Sequence, residues 1–268
     1  MQPSEYLDRL VFANRDAALA YLNSDPEAHT FTGSEVNLKH ELVVRVRDSV
    51  SYRIGAMGYH LACLDAADAA AQKYARSHVG RQNLIQDMRP FIMQQRYILD
   101  DILCGSMSLL DYMARLIACT MHASVNVRRC DWDRLYKWSK HGGDTGAGPS
   151  KLKGSVVGQI IVSENEAWIQ ALYDYRSKVI HYEAIPPGAT LTYTERIGEP
   201  AEFGKFGVEV PEKFVRRLKL SEVREGVTIS EAVSHLIVKL ARAATDILQA
   251  VSAEMEERRA ERFAERGR

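Results

Sequence analysis

The sequence predicts an all-α protein, an up-down bundle of four long helices into which a small β-hairpin is inserted. Apolar residues recur every three or four positions along several long stretches, as they do on a helix that buries one face. A serine and a threonine, each followed three positions later by glutamate, form capping-box patterns that begin two of these stretches. One short segment containing glycines alternates between apolar and polar residues, as a half-exposed strand does.

The first 33 residues are predicted to be a helical extension. Residues 4–23 have the pattern of one or two short helices, and a polar loop follows them. The first long helix is predicted over 35–78, because ten apolar steps from Leu38 to Tyr74 cover 36 residues, a mean step of 3.6. This is the period of a helix with one buried face.

A second long helix is predicted over 82–124, where Pro90 either kinks the helix or marks its true first turn. Only residues 78–81 separate it from the first, so the two helices are expected to be antiparallel neighbours. Together with the later helices they make up the main domain, residues 34–268.

Two insertions are expected to interrupt this bundle, at residues 129–160 and 185–226. The first carries a short helix with Trp132, Leu135 and Trp138, followed by a glycine-rich loop. The second contains the alternating stretch 190–210, which predicts the β-hairpin.

The third and fourth long helices each begin at a predicted capping box. Ser163 with Glu166 is expected to begin the third helix, which ends before a pair of prolines. Thr228 with Glu231 is expected to begin the fourth helix, which runs to about residue 262 and ends in a charged, solvated tail.

The composition indicates a chain that can build a sizeable core and can bind nucleic acid only through a local patch. Of its 268 residues, 46 % are hydrophobic, which is enough to bury a substantial interior. Lysine and arginine number 35, and aspartate and glutamate also number 35, so the net charge is zero. Proteins that bind nucleic acids are often basic overall. A modest basic cluster near the first insertion, expected to be a solvated face, consists of Arg128, Arg129, Lys137 and Lys140.

The four cysteines predict buried thiols in a reducing compartment, because they lie in apolar helical surroundings and form no CxxC pair. The first 25 residues carry several charges and lack the apolar core of a signal peptide. Apolar stretches are interrupted by charge before the roughly 18 residues that a membrane span needs. We therefore expect a cytoplasmic protein with no membrane partner.

Neither a metal site nor a cofactor is predicted. Helical bundles that bind metals use Glu-x-x-His pairs on facing helices, and this sequence contains no such pair. The glycine-rich loop 143–150 lacks the Gly-Lys-Ser/Thr ending of a phosphate-binding loop, and a helix precedes it where such loops follow a strand. It is therefore predicted to be a surface loop.

The strongest indication of chemistry is the segment 174–183, which reads Asp-Tyr-Arg-Ser-Lys-Val-Ile-His-Tyr-Glu. It resembles the motif of HEPN domains, in which a histidine follows an arginine after four to six residues. The resemblance implies a helical bundle that forms a homodimer and, as in many members, a metal-independent ribonuclease with RNA as substrate. It also implies a role in toxicity or defence, with an antitoxin or another regulatory partner.

Four arginine–histidine pairs match this spacing, and their context favours Arg176 with His181. Family motifs usually have a polar residue directly after the arginine, here Ser177, although asparagine, aspartate or histidine is commoner there. The other pairs have isoleucine or leucine at this position. The favoured pair also ends the predicted third helix, just before the final one, as in the family. The pairs expected to be structural are Arg53/His60, Arg115/His122 and Arg134/His141.

Helix geometry separates the two motif residues, because positions five apart differ by about 140° around a helix. A single regular helix therefore closes a site between Arg176 and His181 poorly, whereas a twofold dimer brings two copies of the segment together. The residues predicted to share the arginine's edge and to face the partner are Ile169, Tyr173 and Ile180.

The predicted roles follow from the fact that RNA supplies its own nucleophile, the 2′-OH group. His181 would act as general base or acid, since histidine titrates near neutral pH. Arg176 would hold the scissile phosphate and offset the charge of the transition state. The expected products carry a 2′,3′-cyclic phosphate and a 5′-OH. Supporting roles are expected for Asp174, Ser177, Lys178 and Tyr182.

Other interpretations of the same residues remain open. Arg176 could pair with Asp174, with Glu183 or with a helix C-terminus, and His181 could bond backbone carbonyls at a helix end. The protein would then be a non-catalytic HEPN-like module that binds RNA or protein. A third possibility is an unrelated helical regulator whose seam residues bind a partner helix.

Overall fold

The computed structural model describes residues 2–24, 34–121, 130–142, 152–181, 188–194, 202–220 and 226–266, except for the side chains of residues 34–39, 178–181, 193–194 and 266. Predictions for the polar loop before Gly33, the glycine-rich loop and the proline pair therefore lie outside the described residues.

The described chain is predominantly helical and contains one small antiparallel sheet, which confirms the predicted all-α class with a hairpin. The helices are α1 (Pro3–Ser24), α2 (Ser34–Ser77), α3 (Leu84–Asp87), α4 (Arg89–Met121), α5 (Trp132–His141), α6 (Val156–Glu164), α7 (Gln170–His181), α8 (Glu212–Leu218) and α9 (Ile229–Arg266). The strands are β1 (Gly188–Thr194) and β2 (Glu202–Glu209).

Contacts divide the chain into two compact units, each made of separate stretches. Unit 1 comprises Met1–Gly55, Ser106–Ile169 and Leu240–Arg268, and unit 2 comprises Ala56–Gly105 and Gln170–Lys239. The three longest helices, α2, α4 and α9, each contribute to both units. Helix α1 belongs to the same unit as the first part of α2.

A buried asparagine joins α1 to α2 in unit 1. The Asn14 side chain is fully buried, and its Nδ2 atom donates to the backbone oxygen of Arg47 and to Oγ of Ser51, both at 2.9 Å. The two donors of the buried amide are thus paired, whereas its Oδ1 atom is buried with no partner among the described residues. These two bonds fix how α1 packs against the first part of α2.

Helix α5 belongs to the core of unit 1, although the sequence assigned it to an insertion. Trp132 is 1 % exposed, and its Nε1 atom donates to Oδ1 of the buried Asn165 at 2.8 Å. Its backbone N–H donates to Oδ1 of Asp111 on α4 at 3.0 Å. The helix begins at Asp131, whose side chain accepts a hydrogen bond from the backbone of Arg134. Residues around Trp132 therefore act as core and not as decoration.

Pro90 resolves the alternative left open by the sequence. Helix α4 begins at Arg89, so Pro90 lies in its first turn, where the missing N–H costs no helical hydrogen bond. The predicted helix over 82–124 is thus the short α3 followed by α4.

The predicted start of the third helix at Ser163 is wrong. Helix α6 begins earlier, at Val156, and Ser155 caps it by accepting a hydrogen bond from the backbone of Gly158 at 3.0 Å. Ser163 lies exposed near the end of α6, and a π-helical turn, Asn165–Ile169, leads from α6 into α7. The Ser-x-x-Glu spacing also occurs within helices, so it does not by itself locate a start.

The hairpin lies where the sequence predicted it, and a helix that the sequence did not predict follows. Strands β1 and β2 pair antiparallel, with an irregularity between Thr192 and Tyr193. The Gln72 side chain of α2 bonds to both backbone groups of Phe206 in β2, which anchors the sheet within unit 2. Helix α8 buries the apolar residues Phe214, Val215 and Leu218.

The capping box at the start of α9 is confirmed. Oγ1 of Thr228 accepts from the backbone of Glu231 at 3.3 Å, and Oε2 of Glu231 accepts from the backbone of Thr228 at 3.1 Å. Replacing Thr228 by alanine is expected to lower the free energy of unfolding by about 1 kcal/mol, because a helix-start donor loses its partner. Urea denaturation measures this loss.

The matched control for this prediction is Ser163→Ala, which removes a serine of the same pattern that caps nothing. We expect this exposed substitution to change the stability by less than about 0.5 kcal/mol. Equal losses in the two variants would contradict the assignment of the cap to Thr228.

Helix α4 is the one described helix whose length and composition would allow it to cross a membrane. Its most apolar 18-residue window is 67 % buried within the chain. That degree of burial is typical of a core helix.

Candidate functional site on helix α7

The segment singled out by the sequence lies on α7 in unit 2. This helix follows directly on the π-helical turn of residues 165–169, a local irregularity that often occurs at functional sites. It packs against α8 through the rings of Tyr175 and Phe214, whose centroids are 4.5 Å apart. Because Phe214 is fully buried, this contact fixes the middle of α7.

Arg176 is half-buried, and its Nε atom is shielded from solvent. Among the residues that the structure describes, this atom has no hydrogen-bond partner. A buried donor left unpaired costs about 1–3 kcal/mol. A guanidinium group in this state is suited to bind an anion that supplies the missing acceptor.

Asp174 does not satisfy this arginine. Its carboxylate is exposed and accepts a hydrogen bond from Nε2 of Gln170 at 3.0 Å, one turn back along α7. Within the described part of the chain no ion pair joins Asp174 to Arg176. Glu183, the other acidic residue considered as a structural partner of Arg176, lies outside the described residues.

Helix α7 extends through His181. Only part of the motif lies among the described residues. Ser177 is exposed on this helix. Lys178, Ile180 and His181 are helical, but their side chains are outside the described part, and so is all of Tyr182. On a regular helix Arg176 and His181 are about 7.5 Å apart along the axis and about 140° apart around it.

The predicted partner-facing edge needs one correction. Ile169 is fully buried within the chain, so the prediction that it faces a partner is wrong for this residue. It ends the π-helical turn and serves as core. Tyr173 makes contacts within the chain. It is only half-buried, so part of its surface is accessible.

The arginines of two competing pairs have partners within the chain. The guanidinium of Arg53 lies 5.7 and 5.6 Å from the ring centroids of Tyr52 and Tyr112. Arg115 donates from Nε to the backbone oxygen of Cys130 at 3.2 Å and lies 4.9 Å from the Tyr112 ring. Both arginines are therefore used structurally, as expected, whereas Nε of Arg176 is not.

Both described members of the modest basic cluster near α5 are paired with carboxylates. Lys137 pairs with Asp133 at 2.6 Å, and Lys140 pairs with Glu166 at 2.8 Å. Hydrogen bonds from Lys140 and Tyr136 lower the pKa of Glu166, which keeps that carboxylate charged. The remaining members, Arg128 and Arg129, lie outside the described residues.

The two buried cysteines, Cys119 and Cys130, are poor nucleophiles. Burial raises the pKa of Cys119 and of Cys130 to about 12, whereas Cys63 and Cys104 are partly accessible. Iodoacetamide at neutral pH is therefore expected to label Cys63 and Cys104 roughly 100-fold faster than Cys119 and Cys130, since only the thiolate reacts. Mass spectrometry of the labelled peptides measures this. In denaturant all four should react alike, and fast native labelling of Cys130 would contradict the burial.

Within the part of the chain that the structure describes, no three histidine, cysteine or acidic side chains cluster as metal ligands.

No family model, curated protein or solved structure matches the chain. The candidate site thus stands on the residues of α7 and on their geometry.

Proposed function

We propose that the protein is a metal-independent endoribonuclease of the HEPN type, in which two copies of α7 meet in a homodimer and form one composite site. The observation that carries the proposal is the buried, unpaired Nε atom of Arg176, five residues before a histidine on the same helix. In the proposed arrangement the long helices form an up-down bundle that presents this segment to the partner copy.

The arginine supports the proposal through its unused hydrogen-bonding capacity. A guanidinium group has five donors in a planar fork that matches two oxygens of a phosphate. Since Nε of Arg176 has no partner among the described residues, a phosphodiester oxygen would satisfy it and would remove the cost of its burial. The same contact would stabilise the additional negative charge of the transition state.

The twofold arrangement supports the proposal through geometry. Because Arg176 and His181 lie about 140° apart around the helix, one helix cannot direct both side chains at one phosphate. In a dimer, Arg176 of one copy and His181 of the other can approach from opposite sides. Asp174, Ser177 and Lys178 share the histidine's side of the helix and would surround the same site.

The proposed reaction needs no group beyond the protein and the RNA. His181 takes the proton of the 2′-OH as the 2′-oxygen attacks the neighbouring phosphorus. The bond from phosphorus to the 5′-oxygen then breaks, and the leaving oxygen receives a proton from an imidazolium, either the same residue or its twofold mate. The products are a 2′,3′-cyclic phosphate and a 5′-OH.

The proposed biological setting is cleavage of cellular RNA in the cytoplasm, in a toxin or defence role, with an antitoxin or another regulator holding the activity in check. The 2′-OH requirement restricts the substrate to RNA, whichever RNA is recognised.

A non-catalytic RNA-binding module is the second candidate, because the unpaired Nε of Arg176 suits phosphate binding whether or not cleavage follows. Incubating the purified protein with total RNA in excess EDTA separates the two. Cleavage in EDTA supports the nuclease. Retention of RNA in a gel shift, without cleavage, supports the module and overturns the nuclease. If the protein neither cleaves nor retains RNA, both proposals are overturned.

A further inference from the structure

A groove runs between α1 and the second half of α9, entirely within unit 1. Its volume is about 990 Å³. Small side chains form part of its surface, namely Ala13, Ala20, Ser252 and Ala253. Small residues along a groove allow another backbone to approach closely.

The residues that line the groove follow the spacing of a helix–helix seam. On α1 the positions 6, 9, 13, 16, 20 and 23 form this series, with Phe12 and Leu19 beside it, and on α9 the positions 242, 245, 249, 252 and 256 do. Alternating steps of three and four are the repeat by which one helix receives the side chains of another. The groove therefore has the spacing that suits an added helix.

Exposed apolar side chains stand at the edge of this groove. Phe12 is 61 % exposed and Leu19 is 37 % exposed, and both belong to the lining. A further exposed apolar residue, Val11, adjoins them on α1. Three exposed large apolar residues on one helix of 22 residues indicate a surface that a partner covers.

The groove is lined by charges of both signs, Arg9 and Asp16 on α1 and Arg242, Asp246 and Glu256 on α9. The two lining charges on α1 are self-complementary, which favours a second α1 as the occupant. Arg9 and Asp16 are exposed lining residues, and neither has an ion pair or hydrogen bond among the described residues. They are seven positions apart, about 10.5 Å along one face of the helix. When a second α1 lies antiparallel, with a twofold axis between positions 12 and 13, position n stands opposite position 25 − n. Arg9 then meets the partner's Asp16, and Asp16 meets the partner's Arg9.

The same axis matches the remaining side chains by size. Phe12 stands opposite the partner's Ala13, so a large ring meets a small residue. Leu19 stands opposite the partner's Tyr6. In a twofold interface every contact occurs twice, so the interface contains two Arg9–Asp16 ion pairs, two Phe12–Ala13 contacts and two Leu19–Tyr6 contacts.

We propose that the groove between α1 and α9 binds helix α1 of a second copy of this chain, in an antiparallel twofold interface. The lining residues belong to unit 1, whereas the α7 segment belongs to unit 2, so this self-contact does not rest on the proposed nuclease. Since the groove mixes apolar and charged residues, association is reversible and weakens as salt screens the charges.

Charge reversal tests the proposal. In Arg9→Asp, two carboxylates oppose each other at each pair, and in Asp16→Arg two guanidinium groups do. Each variant is expected to raise the dissociation constant of the self-association about tenfold or more, by sedimentation velocity over a concentration series. The double variant restores the pairs with reversed sign and should return to the wild-type value.

Mixing the two single variants gives the sharpest readout, because each then supplies the charge that the other lacks. The mixture is expected to associate with the wild-type dissociation constant, although each variant alone associates about tenfold or more weakly. Recovery in the mixture supports direct contact between the two positions. A wild-type chain that stays monomeric throughout, unchanged association in the single variants, or failure of the mixture to recover would each overturn the proposal.

An apolar substitution provides a second test with a matched control. Phe12→Ser is expected to raise the dissociation constant, because the ring loses its place in the interface. Phe263→Ser alters a ring of similar exposure, 62 %, that lies on α9 outside the groove, and should leave association unchanged. Equal effects of the two variants would overturn the assignment of the interface to this groove.

Discussion

Replacing His181 by alanine is expected to lower the rate of EDTA-resistant RNA cleavage by at least about 100-fold. Proton transfer by a positioned side chain typically contributes between about 10² and 10⁴ to a rate, and the proposed site assigns both proton transfers to this residue. The measurement is the initial rate of cleavage of a defined RNA at fixed protein concentration, with each variant checked by circular dichroism.

The matched control is His141→Ala. His141 ends α5 and is exposed, and it belongs to a second arginine–histidine pair, Arg134/His141, that also fits the motif's range of four to six intervening residues. The site on α7 predicts that this variant cleaves at the wild-type rate. Comparable losses in the two variants would remove the reason for assigning the chemistry to α7.

Arg176 provides a graded version of the same test. Arg176→Lys keeps the positive charge but loses the planar fork, so it is expected to bind RNA less tightly and to cleave more slowly. Because Nε of Arg176 has no partner among the described residues, the variant should lose little stability. A variant that unfolds more readily but cleaves normally would identify Arg176 as structural.

Replacing Trp132 by alanine is expected to lower the free energy of unfolding by about 3–5 kcal/mol, because it empties a large volume in a packed core. The side chain is 1 % exposed and bonds to Asn165. Denaturant titration of the purified variant measures the loss.

Trp132→Phe separates the ring from its hydrogen bond. This variant retains most of the volume but leaves Oδ1 of the buried Asn165 without its donor, which costs about 1–3 kcal/mol. The control, Tyr136→Phe, removes a hydroxyl that bonds to Glu166 on the exposed side of the same helix, and should cost less than about 0.5 kcal/mol. A neutral effect of Trp132→Ala would contradict the placement of α5 in the core.

Elements whose signals are local were predicted well. The apolar period of α2 covers nearly the full observed helix, and the box of Thr228 with Glu231 begins α9 as expected. Both depend on residues within a few positions of each other. The Ser163–Glu166 pattern is equally local but wrong, because packing extends the helix backwards to Val156.

Features that depend on distant residues were missed. The core position of Trp132 requires Asn165, 33 positions later, and Asp111, 21 positions earlier. Helix α8 is seven residues long and owes its place to the burial of its apolar side, which no short periodic pattern reveals.

The same contrast between local signals and distant contacts applies to the candidate site. The sequence located Arg176 and His181 from their spacing and from the serine that follows the arginine. The shielding of Nε, the engagement of Asp174 by Gln170 and the burial of Ile169 all come from packing. The groove of α1 and α9 was not predicted, because its two sides are more than 200 positions apart in the sequence.

The chemistry of the cut ends tests the central claim most directly. After cleavage in EDTA, the site on α7 predicts fragments whose 5′ ends are hydroxyls that polynucleotide kinase labels without prior phosphatase treatment, and whose 3′ ends are 2′,3′-cyclic phosphates by mass spectrometry. Fragments with 5′-phosphate and 3′-OH ends, or cleavage of RNA that is 2′-O-methylated throughout, would contradict attack by the 2′-OH and with it the proposed mechanism.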